Sequence, residues 1–425
     1  MQNVKGTYDY FGKEQRVRRF VQSTLREVFE AYDYDEMESA SLNELELLAS
    51  KYAGGEEILK EMYQLTDQGK RSLGLRYDLT IPFAKVMALN PGITLPFRRY
   101  EIGKVFRDGP VKRGRLREFL QCDVDVVGIQ GPEAEAELMQ LAIEGFRRLD
   151  IPIVIRWNNR QFLGEILEAM GVPEDKKLTV MLTLDKMDKI GKDEVAKELL
   201  SKGLDSAVSR SILRWVEENP TFEQMVENPI LRNGTGTKEV LSLQQYVSAL
   251  EIGDICRFDP FLSRGLSFYT GTVYEIFDAS GQFRSSLGGG GRYDKIIGQL
   301  VDREEINYPT VGLSFGMESI MAMIRERELE NCRPDVVVIP IGGAIADSLK
   351  VSALLRNEGI RTRLDTRGRK LKKSIASLAA EGIPYLVLIG EEEAALGQVR
   401  LKDLKRNREE IVTVQDCIWR LKIKE

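Results

Sequence analysis

Residues Leu95–Val127 read LPFRRYEIGKVFRDGPVKRGRLREFLQCDVDVV. Two runs of strand-forming residues, Leu95–Val105 and Phe119–Val127, flank a charged loop punctuated by Gly109-Pro110 and Gly114. That arrangement predicts an antiparallel hairpin. The loop crowds Arg107, Lys112, Arg113, Arg115 and Arg117 together, and guanidinium forks match phosphate oxygens bidentately. A solvated turn is the commoner meaning of such a run. The next strand adds weight to a phosphate clamp: Gln121, Asp123 and Asp125 alternate at spacing two, so they share one face. That face is either the wall of a polar pocket or a solvent-facing strand surface.

Outward from the hairpin, helical spacing of Val17, Phe20, Val21, Leu25, Val28 and Phe29 predicts an amphipathic helix over 13–32. Ala134, Leu138, Leu141, Ala142 and Phe146 predict another over Glu133–Leu149. In Gly74–Phe83, GLRYDLTIPF, Asp78 and Thr80 stand two apart, a carboxylate and a hydroxyl able to hold an ammonium group; an ordinary turn is the competing explanation. Residues 160–250 are mostly helical and charged and interrupt two β-rich regions, which marks them as an insertion. Strands are expected at Phe268–Phe277 and Ser285–Gly289. In SSLGGGGRYD (Ser285–Asp294), Gly288–Gly291 leave no side chain between backbone and a ligand. This is not a GxxxxGK[ST] phosphate loop, and a flexible bend is the bland reading. Thr310–Ile324, TVGLSFGMESIMAMI, reads as strand, glycine turn and helix.

A charged stretch at Glu328–Arg333 suits a linker. Beyond it, apolar runs at Val336–Ile341, Thr362–Asp365 and Tyr385–Ile389 alternate with helical patterns at Ala346–Asn357 and Leu371–Glu381, a βαβαβ order. Arg367, Arg369, Lys370, Lys372 and Lys373 lie at a strand-to-helix junction, where positive side chains and a helix N-terminus can meet phosphate. Residues 331–425 hold 18 Lys+Arg against 13 Asp+Glu, a net +5 on a chain whose total is −5. A basic tail on an acidic body suits contact with nucleic acid, or a merely solvated surface.

The 425 residues are 43% hydrophobic and 30% charged, ordinary for globular chains of about three domains. No apolar run is long enough to span a membrane and no signal core opens the chain, so a cytoplasmic setting is expected. Cys122, Cys256, Cys332 and Cys417 are widely spaced, which suggests neither a zinc site nor a disulfide framework. Histidine is absent altogether. Mechanisms built on an imidazole base or a histidine-ligated metal are thereby excluded.

These segments, in this order, resemble the histidyl-tRNA synthetase family over nearly the whole chain, least in 160–250. KGTYDY resembles the family's N-terminal signature, RYDLTIPF its RYDLT segment, and the Arg107 hairpin the class II motif 2. RGLSFYTGTVYE is similar to its histidine-specific RGLDYY segment, GGGGRYD matches its glycine-rich strand, and the basic βαβαβ unit with GRKLKK is similar to its anticodon-binding domain. The resemblance implies an α+β fold: a class II antiparallel sheet flanked by helices over 1–328, a helical insertion over about 160–250, and an α/β anticodon-binding domain over 333–425. It implies a histidine–tRNA ligase that uses ATP with Mg2+, acts on L-histidine and tRNA(His), has no resident protein-held metal and forms a homodimer. Residue by residue, it implies that Asp78 and Thr80 hold the substrate α-amino group, and that Arg107 binds where the adenylate forms. Gln121 helps bind the amino acid, Asp125 accepts a hydrogen bond from the imidazole, Tyr269 contacts that ring and Phe268 packs beside it. Arg115 meets the pyrophosphate end of ATP, Arg264 stabilises the α-phosphate, and Arg367, Arg369 and Lys370 meet tRNA.

Three positions depart from the pattern. Ser319, in GMES, stands where motif 3 carries an arginine; a charge-assisted phosphate contact is worth about 1.5–3 kcal/mol, and Arg292, Arg115 or Arg325 are the candidates to replace it. Ser267-Phe268 replaces Asp-Tyr, and Gly109 occupies a usually acidic position next to Asp108. Ser319 favours a competing reading, a catalytically silent synthetase-like regulatory subunit of histidine biosynthesis. The basic tail and the retained Asp78, Arg107, Gln121, Asp125, Arg264 and Tyr269 weigh against it. A synthetase for another amino acid or an inactive RNA-binding protein fits the pocket residues less well.

An enzyme that delivers histidine to translation and contains none does not depend on its own product. Inserting a few surface histidine codons is expected to lower accumulation of the protein during histidine starvation; equal accumulation of both forms would overturn this reading.

Overall fold

Alternation along Glu118–Val127 sends Cys122, Val124 and Val126 to one face of a sheet and Gln121, Asp123 and Asp125 to the other. The apolar face decides where the helices go. A computed structural model describes residues 1–49, 60–111, 115–264, 268–300, 307–324 and 333–423, without the side chains of residues 188 and 189. Lys112, Arg113, Gly114, Ser267, Arg325, Cys332 and most of the linker expected at Glu328–Arg333 lie outside them. The chain divides into two units, Met1–Arg327 and Glu328–Glu425.

In the first unit, β1 (Asp35–Glu36) pairs in parallel with the hairpin that follows later. Strands β2 (Leu42–Glu44), β3 (Gln64–Thr66) and β4 (Ser72–Leu75) make a separate antiparallel sheet in the order β2-β4-β3. The hairpin is β5 (Phe97–Phe106) and β6 (Glu118–Val127), in register from Phe97↔Val127 to Phe106↔Glu118. Strands β7 (Ile153–Asn159), β8 (Cys256–Phe258), β9 (Thr272–Asp278), β10 (Gly288–Arg292) and β11 (Thr310–Phe315) complete a large sheet of order β1-β5-β6-β11-β10-β9-β7-β8. Its pairs are antiparallel except β1 with β5 and β7 with β8. Helices Gly12–Ala31 and Glu133–Arg148 cover the apolar face, with Phe29 and Phe146 meeting Phe315 at ring separations of 5.5 and 5.6 Å.

Between β7 and β8 the described chain is helical, including Arg160–Ala169, Glu174–Leu184, Lys192–Ser201, Ser206–Glu218 and Thr235–Ala249. These helices carry a core of their own around Leu163, Leu167, Val195, Leu199 and Ile212.

The strand expected over Ser285–Gly289 runs instead over Gly288–Arg292, so the glycine run is itself the strand, as the family resemblance implies, and the preceding strand starts at Thr272 rather than Phe268. The reason is lateral crowding. A Cβ on Gly290 would lie 2.0 Å from the Gly312 carbonyl oxygen, one on Gly288 2.7 Å from that of Ser314, and one on Gly291 2.3 Å from that of Thr272. A composition that reads as a flexible bend is here the only one that fits between β9 and β11.

In the second unit, β12 (Val336–Pro340), β13 (Thr362–Leu364), β14 (Tyr385–Ile389), β15 (Gln398–Asp403) and β16 (Arg408–Thr413) form a sheet of order β13-β12-β14-β15-β16. The first three are parallel, as the βαβαβ pattern requires; β15 and β16 add an antiparallel hairpin and are followed by the helix Val414–Ile423. Both faces of β12 and β14 are buried, which explains their unbroken apolar runs. The added hairpin was not legible because QVRLKD and REEIVT bury only Val399, Leu401 and Val412.

Because the neighbour of Gly290 is backbone, which cannot step aside, Gly290→Ala is expected to cost about 3 kcal/mol or more. Chemical denaturation measures this; a loss within experimental error would contradict the packing described.

Candidate functional site

The polar face of the large sheet carries two transverse rows set by strand register. One runs Arg99, Asp125, Gly312, Gly291, Val273; the next runs Glu101, Asp123, Ser314, Gly289, Glu275. Three of the ten positions are glycine, so no side chain rises from the middle of this face, and the hollow this leaves in the sheet surface is entered by the side chains of Asp125, Arg264 and Tyr269. Gly312 shows the fit: a Cβ there would lie 1.7 Å from Asp125 Oδ1. The Asp125 side chain therefore leans across Gly312 and accepts a hydrogen bond from the Tyr293 hydroxyl.

Asp125 is 4% exposed, and its other oxygen lies 2.7 Å from Nη2 of Arg99, which is fully buried. Arg99 stacks over the Phe83 ring at 4.2 Å and reaches Glu101 at 3.8 Å. Glu101 in turn pairs with Arg76 at 2.6 Å and accepts from the backbone N–H and hydroxyl of Ser39. Burial pushes the Asp125 carboxyl up, and Arg99 and Tyr293 act against that rise. For Arg99, burial opposes the charge, but Asp125, Tyr293, Asp123 and Glu101 outweigh it and its proton is held more firmly than usual.

Asp123, also 4% exposed, accepts from Ser314 Oγ at 2.5 Å. Burial and the neighbouring Asp125 raise its pKa to about 7. Gln121 Nε2 approaches Ser314 Oγ at 3.5 Å, and Gln121 Oε1 is buried with no hydrogen-bond partner among the described residues. Asp78 and Thr80 are brought together by a turn into a helix rather than by strand parity: Thr80 opens the helix Thr80–Leu89, and Asp78 Oδ1 accepts from the Ile81 N–H at 3.2 Å. Burial raises Asp78 to about 6, against the pull of Arg107 and Arg99.

Arg107 follows directly on β5. Its Nε donates to the Tyr77 carbonyl at 3.1 Å and its guanidinium lies over Phe119 at 5.1 Å. Burial lowers its pKa, and Asp78 and Glu61 support its charge. Arg115 is exposed and paired with Glu61; Arg117 pairs with Asp108 at 3.2 Å, and the missing side chain of Gly109 makes room for Glu61. On the opposite flank Arg264 pairs with Glu275 at 3.0 Å and with the Tyr269 hydroxyl, passing over Gly289 where a Cβ would stand 2.7 Å from its Nη1. Tyr269, Phe268 and Tyr293 form an aromatic wall, with ring separations of 4.7 Å (Phe268–Tyr269) and 5.9 Å (Phe268–Tyr293). Tyr269, buried, links the flanks: it bonds Arg264 and feels the charges of Asp123 and Asp125.

Of the arginines weighed as substitutes at Ser319, Arg292 is engaged bidentately by Glu135, with both contacts 2.7 Å, and by the carbonyls of Ile129 and Gly131. Beside half-buried Ser319, Glu318 pairs with Arg18 at 3.0 Å. In the second unit, Arg367 is gripped by Asp365 at 2.7 and 3.0 Å, whereas Arg369 and Lys370 are exposed. Sequence reasoning missed Arg99, Ser314 and Tyr293. The signal for Arg99 was present: Arg99 and Glu101 alternate within a strand, and their parity matches Asp123 and Asp125 once the pairing is known.

Comparison with known proteins places this geometry. The family model described as Histidyl-tRNA synthetase matches residues 6–320, and that described as Anticodon binding domain matches 335–423. Histidine–tRNA ligase 1 of Bacillus cereus (strain ATCC 10987) is 46% identical over 415 residues, spanning 96% of this chain and 94% of its own. The crystal structure of histidyl-tRNA synthetase from Nostoc sp. PCC 7120 superposes with a TM-score of 0.83 at 26% identity, covering 100% of this chain and 99% of its own. A structure titled ATP phosphoribosyltransferase regulatory subunit/histidyl-tRNA synthetase, from Bacillus halodurans C, shares the fold with a TM-score of 0.73 at 17% identity, covering 92% of this chain and 98% of its own. The antiparallel-rich sheet with its anticodon-binding domain defines a class II aminoacyl-tRNA synthetase. Within that class, the chain belongs to the histidyl-tRNA synthetase family.

The raised Asp123 pKa has a sign. The folded chain keeps this proton up to about pH 7, while an unfolded aspartate releases it near about 3.9. Its stabilising contribution is therefore complete below that lower value and is lost as pH rises through 7. Asp123→Asn, which cannot ionise, is expected to gain stability over the wild type by up to about 1.4 kcal/mol per pH unit between those limits and to level off above. Denaturation at a series of pH values tests this, and a pH-independent difference would contradict it.

Proposed function

We propose that this chain is a histidine–tRNA ligase, and the observation that carries the proposal is the glycine-floored hollow between buried carboxylates and an aromatic wall, flanked by Arg107 and Arg264. A flat ring bearing N–H donors suits such a hollow, and an imidazole meets both requirements. Asp125, held by Arg99 and Tyr293, accepts from the ring; Tyr269 contacts it and Phe268 packs beside it. Asp78, Thr80 and Gln121 receive the α-ammonium end. Arg107 takes the carboxylate and α-phosphate, Arg264 the α-phosphate from the opposite flank, and Arg115 the pyrophosphate end of ATP.

In the first step a histidine carboxylate oxygen bonds to the α-phosphorus and pyrophosphate leaves. The nucleophile is already ionised, so no protein base is needed, consistent with a chain that has no histidine. The chief requirement is to offset the repulsion of an anion approaching a polyanion, which preorganised guanidinium groups do. Among the described residues no cluster of acidic or thiol groups could hold a metal by itself. Mg2+ fits as an ion that comes with the phosphates, where it supplies charge neutralisation. In the second step the terminal ribose hydroxyl of tRNA(His) attacks the acyl carbon, its proton passes to the adenylate phosphate, and AMP departs.

The unit after 333 serves as the anticodon-binding domain, with Arg369 and Lys370 available to phosphates and Arg367 reaching them only by leaving Asp365. Assembly as a homodimer in the cytoplasm completes the proposal; among the described residues no helix is long and apolar enough to cross a membrane. Ser319 keeps the silent regulatory subunit as the second reading.

Purified protein is expected to catalyse histidine-dependent ATP–pyrophosphate exchange; exchange that ignores histidine, or none at all, would remove the ligase reading. Within an active enzyme, Asp125→Ala is expected to raise the histidine KM at least tenfold and Arg264→Ala to lower turnover by about a hundredfold or more, as for loss of a charged transition-state contact.

A further inference from the structure

We infer that Asp123 and Ser314 form a polarity relay that fixes which end of the Gln121 amide faces the substrate, making them positioning residues for histidine binding. The inference rests on the ligase reading above. An amide side chain has two ends of similar shape and opposite hydrogen-bonding sense, and its partners decide which end points where. Ser314 lies between the other two side chains: Oγ is 2.5 Å from Asp123 Oδ1 and 3.5 Å from Gln121 Nε2. A serine hydroxyl has a single proton. An aspartate oxygen that carries no proton offers only lone pairs, and Ser314 donates its proton to Asp123 Oδ1. A proton on the far oxygen, Oδ2, leaves that acceptor in place.

With its proton committed, Ser314 Oγ presents only lone pairs to Gln121. The Nε2 end must therefore turn to Ser314 and the carbonyl end away from it. Gln121 Oε1 is indeed the buried atom left without a partner among the described residues. A buried acceptor without a donor costs about 1–3 kcal/mol, which a substrate N–H recovers on binding. The relay thus converts a carboxylate into an acceptor aimed at a cationic or N–H-bearing group, and it disfavours a ligand that would present a lone pair there. Without Asp123 the serine proton is free to donate to Gln121 Oε1. The amide can then reverse, and its NH2 would meet the substrate's N–H groups head on.

The register places all three side chains on the hollow's face. Asp123 and Ser314 are direct cross-strand partners on β6 and β11, and Gln121 is two residues before Asp123. Neither Asp123 nor Ser314 needs to touch the substrate for this role.

The test is a double-mutant cycle read by ATP–pyrophosphate exchange. Ser314→Ala and Asp123→Ala are each expected to raise the histidine KM roughly tenfold, with the ATP KM and kcat changed less than about twofold. The double variant is expected to be no worse than either single one, because both remove the same constraint. Ser314→Thr, which keeps the hydroxyl, restores a histidine KM nearer the wild type than that of Ser314→Ala. Equal loss in kcat and in both KM values, or additive effects of the two substitutions, would overturn the relay, as would an unchanged histidine KM in Ser314→Ala. If the wild-type protein shows no histidine-dependent exchange, the ligase reading fails instead, so the two failures are distinguishable.

Discussion

The guanidinium of Arg99 has no exposure to solvent and lies 2.7 Å from the carboxylate of Asp125. Isolated, either charge would be too costly to bury; together, with Tyr293, Glu101 and the Phe83 ring around them, they are tolerated. Such a pair adds little net stability, since desolvation offsets most of its attraction. What it gives is position. Burial pushes the Asp125 carboxyl up, and Arg99 behind it acts against that rise. Asp125 can cross to Tyr293 only because Gly312 has no side chain in the way.

From that constraint the rest of the site follows. Glu101 and Arg76 extend the charge network toward Ser39 and anchor β5 to the segment after β1. A second carboxylate, Asp123, sits beside Asp125, and burial together with that neighbouring carboxylate raises its pKa to about 7. The two cationic flanks are held differently. Arg107 is fixed by a backbone carbonyl and an aromatic ring, whereas Arg264 is held by Glu275 and Tyr269 in the space that Gly289 leaves. Between these two guanidinium groups lie the buried carboxylates Asp123 and Asp125, so opposite charges stand close together on one face of the sheet.

Much of this was legible in the chain. The Leu95–Val127 hairpin was visible because alternation and turn residues agree, and the basic βαβαβ segment because apolar strands buried on both faces read as continuous runs. Asp123, Asp125 and Gln121 could be put on one face from their spacing alone. The β15–β16 hairpin was not visible, because strands with charged residues at half their positions and few buried apolar ones lack a periodic apolar signal. Asp78 and Thr80 were legible as neighbours, but not the helix start that joins them.

The sequence by itself determined local geometry and chemical inventory: which residues alternate, where the guanidinium groups cluster, that imidazole is absent, and which segments resemble a synthetase. Local periodicity suffices for those because they depend on neighbours along the chain. Only the tertiary structure decided which strands lie side by side. That choice matched Arg99 to Asp125, Asp125 to Gly312 and Gly312 to Gly291, and it set Gly289 and Gly291, two of the four consecutive glycines, on the face that carries Asp123 and Asp125. Pairings between residues as much as two hundred positions apart leave no periodic trace in a single sequence; they are fixed by the sheet that buries the apolar side of the same strands.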